Sequence, residues 1–412
     1  MNINRLLISF QTDSLTAAFR GSCLWLRGIA LSVSAISLLS ACSGDHNQEP
    51  VAVEDNVVVS FTLAIDKPTA TTRADDDDQT WGNETGEANE FETAIDFQRF
   101  HVFLYEMKAN KTLNEIPVAQ VTPLLFMGPE NTEERAIYQF TGKLDLEAAG
   151  LDKEELKTGD YRIMVYANCD LDNNNDGNLS STQFSAKGTD KNFKSIPMWG
   201  VSKVDFSNVK EGEAVRIGDV ALLRAMAKIH VGLSDNLKKS TEKSVRFTSI
   251  TFKRHNASGY VVPANYAVVD ATTALKYRET INELKNSADG EYVISVAEDS
   301  EEDDMVNGGS FTFYLPEIKN SNDDEVIMQV AYTVDGESKT GDIHFCRYVN
   351  GNPIKAEGTA TPDLTSTQNS LWHIVRNHIY DFTITGVPDN TVGLTVNVAV
   401  KDWSRKYYEI DY

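Results

Sequence analysis

The chain has 412 residues, 41% apolar, 9% aromatic and 24% charged, which excludes a disordered chain and a fibrous repeat. Its 61 Asp and Glu against 38 Lys and Arg leave a net charge of -23, and a nucleic-acid partner would demand a basic face that this chain opposes at every range. Four cysteines make no disulfide framework: Cys23 and Cys42 lie near the start, and nothing in the spacing of Cys169 and Cys346 asks for a bridge.

In chain order, the first element is a signal. Arg20 and Arg27 precede the apolar run 28–39, which is closed by small residues and too short to span a bilayer comfortably. It leads into Leu39-Ser40-Ala41-Cys42, and here the chain resembles a bacterial lipoprotein signal, in which Cys42 is acylated and becomes the new N-terminus. Small residues admit the peptidase, the thiol takes a diacylglycerol, and acylation of the freed amine adds enough buried methylenes to anchor a soluble domain. Residues 1–42 are therefore read as a signal peptide ending at the lipidated Cys42, with the precursor held at the outer membrane. After Cys42 no apolar run approaches the length of a spanning helix.

Residues 43–53 are polar and read as a tether. Val57, Val59, Phe61, Leu63 and Ile65 then recur with period two, the mark of a strand buried on one side. Beyond Arg73-Ala74, nine acids fall between positions 74 and 96 without one basic residue. Their mutual repulsion predicts an exposed loop that a protease can reach. Strand-like runs follow at 100–105, 137–144, 161–167, 215–222, 228–233, 245–252, 292–296, 311–315, 326–334, 379–385 and 394–400, punctuated by Gly, Asn, Asp and Pro. Short helices are expected within 146–156 and near 274–284. This pattern predicts an all-β fold of two sandwiches in tandem, a first over 43–222 and a second over 223–412.

No constellation for catalysis emerges: there is no nucleophile elbow, no phosphate-cradling Gly loop and no paired-His metal helix. His373 and His378, the nearest histidine pair, are five positions apart, an odd spacing that puts them on opposite faces of a strand. The loop Asp172-Asn173-Asn174-Asn175-Asp176-Gly177 carries part of a calcium-loop pattern, yet its twelfth position is Gln183 where a bidentate Glu belongs. It is read as a polar turn. No enzyme, no cofactor and no metal site is expected.

Four segments taken in order resemble the fimbrillins of Bacteroidetes, lipoprotein-derived subunits of type V pili. They are the lipobox at Cys42; Thr158 to Asn168 followed by Ile196-Pro197-Met198-Trp199-Gly200; Leu223-Arg224-Ala225-Met226-Ala227-Lys228-Ile229; and Trp372 to Tyr380 with Leu394 to Val400 and Asp402-Trp403. The resemblance implies transthyretin-like sandwiches, secretion as a lipoprotein, and removal of the first strand by an arginine-specific protease in shaft subunits. Arg73-Ala74 matches such a site, since a cut there would release lipid and first strand together. A sandwich missing that strand, expected at the sheet edge, would be repaired by a strand from another pilin subunit, and Tyr408, Ile410 and Tyr412 share one face of a candidate donor. Two other readings stay open at this point. One is a fimbrial tip or anchor subunit; the other is a surface glycan-binding lipoprotein, for which Trp81 and Trp199 are the tryptophans in loop-like sequence.

Overall fold

Alternation of β-branched and aromatic residues with small polar ones makes Asn56–Asp66 (β1) a strand, and the core takes Val57, Val59, Phe61, Leu63 and Ile65. The computed structural model describes residues 56–67, 90–110, 112–132, 134–171, 177–185, 195–210, 212–252, 254–256, 258–263, 285–286, 292–295, 310–318, 320, 325–354, 359–360, 371–387 and 394–402. Cys42, Arg73, Ala74, Trp81, the Asp172–Asp176 loop, the helix expected near 274–284, and Tyr408, Ile410 and Tyr412 lie outside them.

After β1 come the one-turn helix Glu90–Thr93 (α1) and the strands Phe100–Glu106 (β2), Ala119–Asn131 (β3) and Arg135–Asp145 (β4). The helical stretch expected within 146–156 is two helices, Leu146–Ala149 (α2) and Lys153–Thr158 (α3). Gly150 ends α2 at φ 65, a left-handed value that glycine adopts freely, and Asp152 starts α3 with a capping box to Glu155. Tyr161–Ala167 (β5), Gln183–Ser185 (β6), Met198–Val204 (β7), Val215–Ala221 (β8) and Leu223–Arg224 (β9) complete the first half.

All of these strands except β6 form one sheet in the order β8-β1-β4-β3-β2-β5-β7-β9. Only two residue pairs, Phe103 with Gln120 and Leu104 with Ala119, join β2 to β3. The two halves flanking this hinge share one core: Val59, Leu63, Phe140 and Val220 from one side meet Val102, Leu104, Ile163 and Val165 from the other. That is a sandwich closed at one edge.

The second half opens with Met226–Leu233 (β10), Asp235–Lys238 (α4) and Val245–Phe252 (β11). The short Arg254–His255 (β12), Ser258–Tyr260 (β13) and Lys285–Asn286 (β14) lead to Tyr292–Ser295 (β15), Ser310–Pro316 (β16), Ile327–Val334 (β17) and Glu337–His344 (β18). Arg347–Val349 (β19), Asn352–Ile354 (β20), Thr359–Ala360 (β21) and Leu371–Trp372 (β22) precede His378–Gly386 (β23) and Thr395–Asp402 (β24). Two four-stranded sheets, β16-β10-β23-β24 and β15-β11-β17-β18, face each other. Ile229, Val231, Phe313 and Phe382 of the first pack with Ile250, Phe252, Met328 and Val330 of the second. The described protein is therefore all-β, with strands filling both halves and only short helices.

A third cluster lies between the two sandwiches. Phe103, Tyr105, Met164, Tyr166 and Trp199 on the outer face of β2, β5 and β7 pack with Ala225, Met226, Val261, Val262, Tyr314 and Ile379. It accounts for β5, which is buried at all seven positions and so lacks the polar face of a one-sided strand. Cys169 and Cys346 are both buried, and neither is in a disulfide.

Candidate functional site

β1 does not lie at the sheet edge, contrary to the sequence expectation; β8 lies outside it. β1 runs antiparallel to β4 through an unbroken register of eleven pairs, from Asn56 with Asp145 to Asp66 with Arg135. On its other side it runs parallel to β8, pairing Val59 with Val215 and Ala64 with Ala221 around a bulge. Local pattern alone could not find this, because β8 is more than 140 residues away in sequence and a parallel partner leaves no hairpin signal.

β1 thus fills a slot with two hydrogen-bonding walls and an apolar floor. Leu63 and Ile65 are 0% exposed, and the Phe61 ring lies 4.6 Å from Phe140. Gly142 faces Val59 across the ladder, and any Cβ there would come within 2.4 Å of Val121 Cγ1, so the floor requires glycine at this position.

The far end of the slot is electrostatic. Arg135 Nε and Asp66 Oδ1 are 2.9 Å apart. Arg224, fully buried, donates through Nη2 to the Asp66 carbonyl at 2.8 Å and through Nε to the Glu92 carbonyl at 3.1 Å. Asp66 and Glu92, which stand on either side of residues 68–89 in the sequence, therefore meet one guanidinium. Lys67 adds a backbone bond from its N–H to the Glu134 carbonyl at 2.8 Å.

The return end of that segment is pinned independently. Glu92 is 0% exposed, 3.0 Å from Lys228 Nζ of β10, and accepts a hydrogen bond from Tyr314 of β16. The Tyr138 hydroxyl donates to the Thr93 carbonyl, Asn168 donates to the Ala94 carbonyl, and Asp96 N–H donates to Asn168 Oδ1. The acidic stretch expected to be exposed up to Asp96 therefore ends earlier. Glu92 is drawn inside because Lys228 and Tyr314, opposite each other on β10 and β16, give its carboxylate a cation and a donor. Nothing in the run of acids singled out Glu92, since its partners are more than 130 residues away.

Trp199, expected in a loop, sits in β7 at 5% exposure within the cluster between the sandwiches, so it offers no exposed platform. His373 and His378 do not share a strand: His373 Nδ1 accepts from Asn320 N–H, and His378 Nδ1 lies 2.7 Å from the Arg376 carbonyl. Both rings bond backbone groups. Gly177 receives the Tyr105 hydroxyl on its carbonyl, and Leu179 just beyond it is buried. Among the described residues no group of three His, Cys, Asp or Glu is placed to hold a metal ion, and no helix is long and apolar enough to cross a membrane.

No protein-family model and no curated protein matches the chain. Similar solved structures include the tip fimbrial protein Mfa3 from Porphyromonas gingivalis with C-terminal truncation, 14% identical over 84% of this chain and 100% of that one, with a TM-score of 0.42. Another is a fimbrial assembly protein from Parabacteroides distasonis, 12% identical over 84% of this chain and 97% of that one, with a TM-score of 0.41.

Proposed function

We propose that this chain is a non-enzymatic structural subunit of a cell-surface fimbrium, made as a lipoprotein anchored through Cys42. It is cut after Arg73 and polymerised when a strand from another subunit takes the place of β1. The observation that carries the reading is the position of β1: it is the first strand among the described residues, it fills a slot between two others, and it is followed in the sequence by the segment bearing Arg73. One cut there separates the strand and everything before it from the rest of the chain. The vacated slot would present N–H and C=O groups on both walls and an apolar floor, which an incoming strand satisfies in one step.

The C-terminal tail with Tyr408, Ile410 and Tyr412 is the proposed donor, and adhesion is the role the fibre supports. The expected partners are other pilin subunits, the outer membrane through lipid, and an arginine-specific protease. Two variants test the reading. Arg73→Ala should stay monomeric on exposure to that protease, and deletion of 406–412 should be cut normally yet fail to polymerise. Assembly of either variant at the parent's rate refutes the step it was built to block.

A further inference from the structure

We infer that Arg135 makes the slot selective for a strand that carries a carboxylate directly after its last pocket residue, and that the matching partner is Asp411 in the tail of a second copy. The inference rests on the strand-exchange reading above and adds what the slot recognises.

Asp66 is the only charged residue in β1, and it occupies the last position of the strand. Its carboxylate meets Arg135 at 2.9 Å with side-chain exposures of 9% and 24%, so water screens the pair only in part. Its carbonyl is taken by Arg224. Two arginines from different elements, β4 and β9, thus read one residue, one through the side chain and one through the backbone. The backbone contact accepts any residue; the Arg135 contact does not. A guanidinium's planar fork of donors matches a carboxylate, and a neutral residue in place of Asp66 offers it none. Removing β1 withdraws this carboxylate from the slot.

The dipeptide Ile65-Asp66 recurs as Ile410-Asp411. With the tail laid along β1 in that register, Ile410 takes the pocket of Ile65, Tyr408 that of Leu63, and Asp411 faces Arg135. Lys406 then stands where Phe61 was, and Tyr412 falls beyond the slot at the level of Lys67. The tail fills two apolar pockets where β1 fills five, so the acid at its end carries a larger share of the selectivity. The direction is fixed as well: the incoming strand runs parallel to β8 and antiparallel to β4, as β1 does.

The test uses the full chain with a specific protease site substituted into residues 74–80, so that it does not depend on cleavage at Arg73. After the cut, synthetic peptides compete for the slot and the release of the β1 fragment is followed by mass spectrometry. A peptide of residues 54–67 should displace it at about tenfold lower concentration than its Asp66→Asn form. On an Arg135→Gln chain the two should be equal, and Arg135→Lys should restore part of the preference. Equal potency of the two forms on the parent chain overturns the role of Arg135. A peptide of residues 401–412 should likewise lose about tenfold on Asp411→Asn, and only when Arg135 is present. If the 54–67 pair differs as expected but 401–412 does not displace at any concentration, Arg135 selects a carboxylate and the tail is not its donor.

Discussion

Glu92 and Lys228 form an ion pair 3.0 Å long, with both side chains buried, between the segment that enters the first sandwich and the strand that opens the second. Tyr314, opposite Lys228 on the neighbouring strand, donates to the same carboxylate, and Arg224 holds the Glu92 carbonyl while also holding the end of β1. The junction and the slot therefore share an element. Attraction and hydrogen bonds offset the desolvation of a buried pair only while both partners are present. Lys228→Met should cost about 3 to 5 kcal/mol in urea unfolding, because it leaves Glu92 buried without its cation. Adding Glu92→Leu should recover part of that loss. If the double variant is as unstable as the sum of the two single changes, the pair is not coupled.

Cys169 is wholly buried, and burial pushes its thiol from 9.0 up to about 12. Between those values the unfolded chain sheds a proton that the folded chain keeps, so the unfolded state gains and stability falls as pH rises. Below about pH 8 the thiol is neutral in both states and contributes no slope. The parent should therefore lose up to about 1.4 kcal/mol more per pH unit than Cys169→Ala in urea titrations above pH 9. Parallel curves for the two proteins would refute the shift. The same burial predicts that iodoacetamide leaves Cys169 unmodified at pH 8 until denaturant is added.

The small-residue approach to Cys42 predicts that Cys42→Ser abolishes incorporation of a palmitate analogue and leaves the precursor unprocessed or released. Labelling of whole cells followed by immunoprecipitation measures it. Label retained at the parent's level would place the acyl group on another residue.

Much of the strand content was legible because period-two alternation is local: β1, β2, β5 and β11 fall on the runs marked in the sequence. β3 escaped because Pro123, Pro129 and bulges on either side of Phe126 break its alternation, and because Leu124, Leu125 and Met127 are exposed where a core pattern would bury them. β7 escaped for another reason. Met198, Trp199 and Gly200 are all buried, since one face of the strand meets the first core and the other meets the cluster between the sandwiches, so no polar face marks it. The slot was half legible. Its occupant could be read from β1 itself, but its walls and its end required long-range pairing: Val215–Ala221 beside β1, Arg135 and Arg224 on Asp66, and Lys228 on Glu92. Charge on a residue in sequence says only that burial is costly, whereas a partner distant in the chain decides whether that cost is offset.

The last prediction concerns how firmly β1 is held. Five buried side chains contribute roughly 1.5 to 3 kcal/mol each before entropy is counted, and ladders run along both edges of the strand. A cut in the 68–89 segment removes none of these contacts, so the cut chain should keep its β1 fragment through gel filtration. Release should need an incoming strand and should speed up with its concentration. Leu63 lies at the slot's centre with no exposure, so Leu63→Ala should cost about 2 to 5 kcal/mol. If that loss falls on the bound state alone, spontaneous release accelerates on the order of 30-fold or more, since every 1.4 kcal/mol is about tenfold. Ser60→Ala, at a half-buried position on the opposite face, should change release by less than about threefold, in line with the small effect of substitutions outside the core. Loss of the fragment from the cut parent chain during a single gel-filtration run, with no competing strand present, would show that the slot does not retain β1 and that cleavage alone empties it.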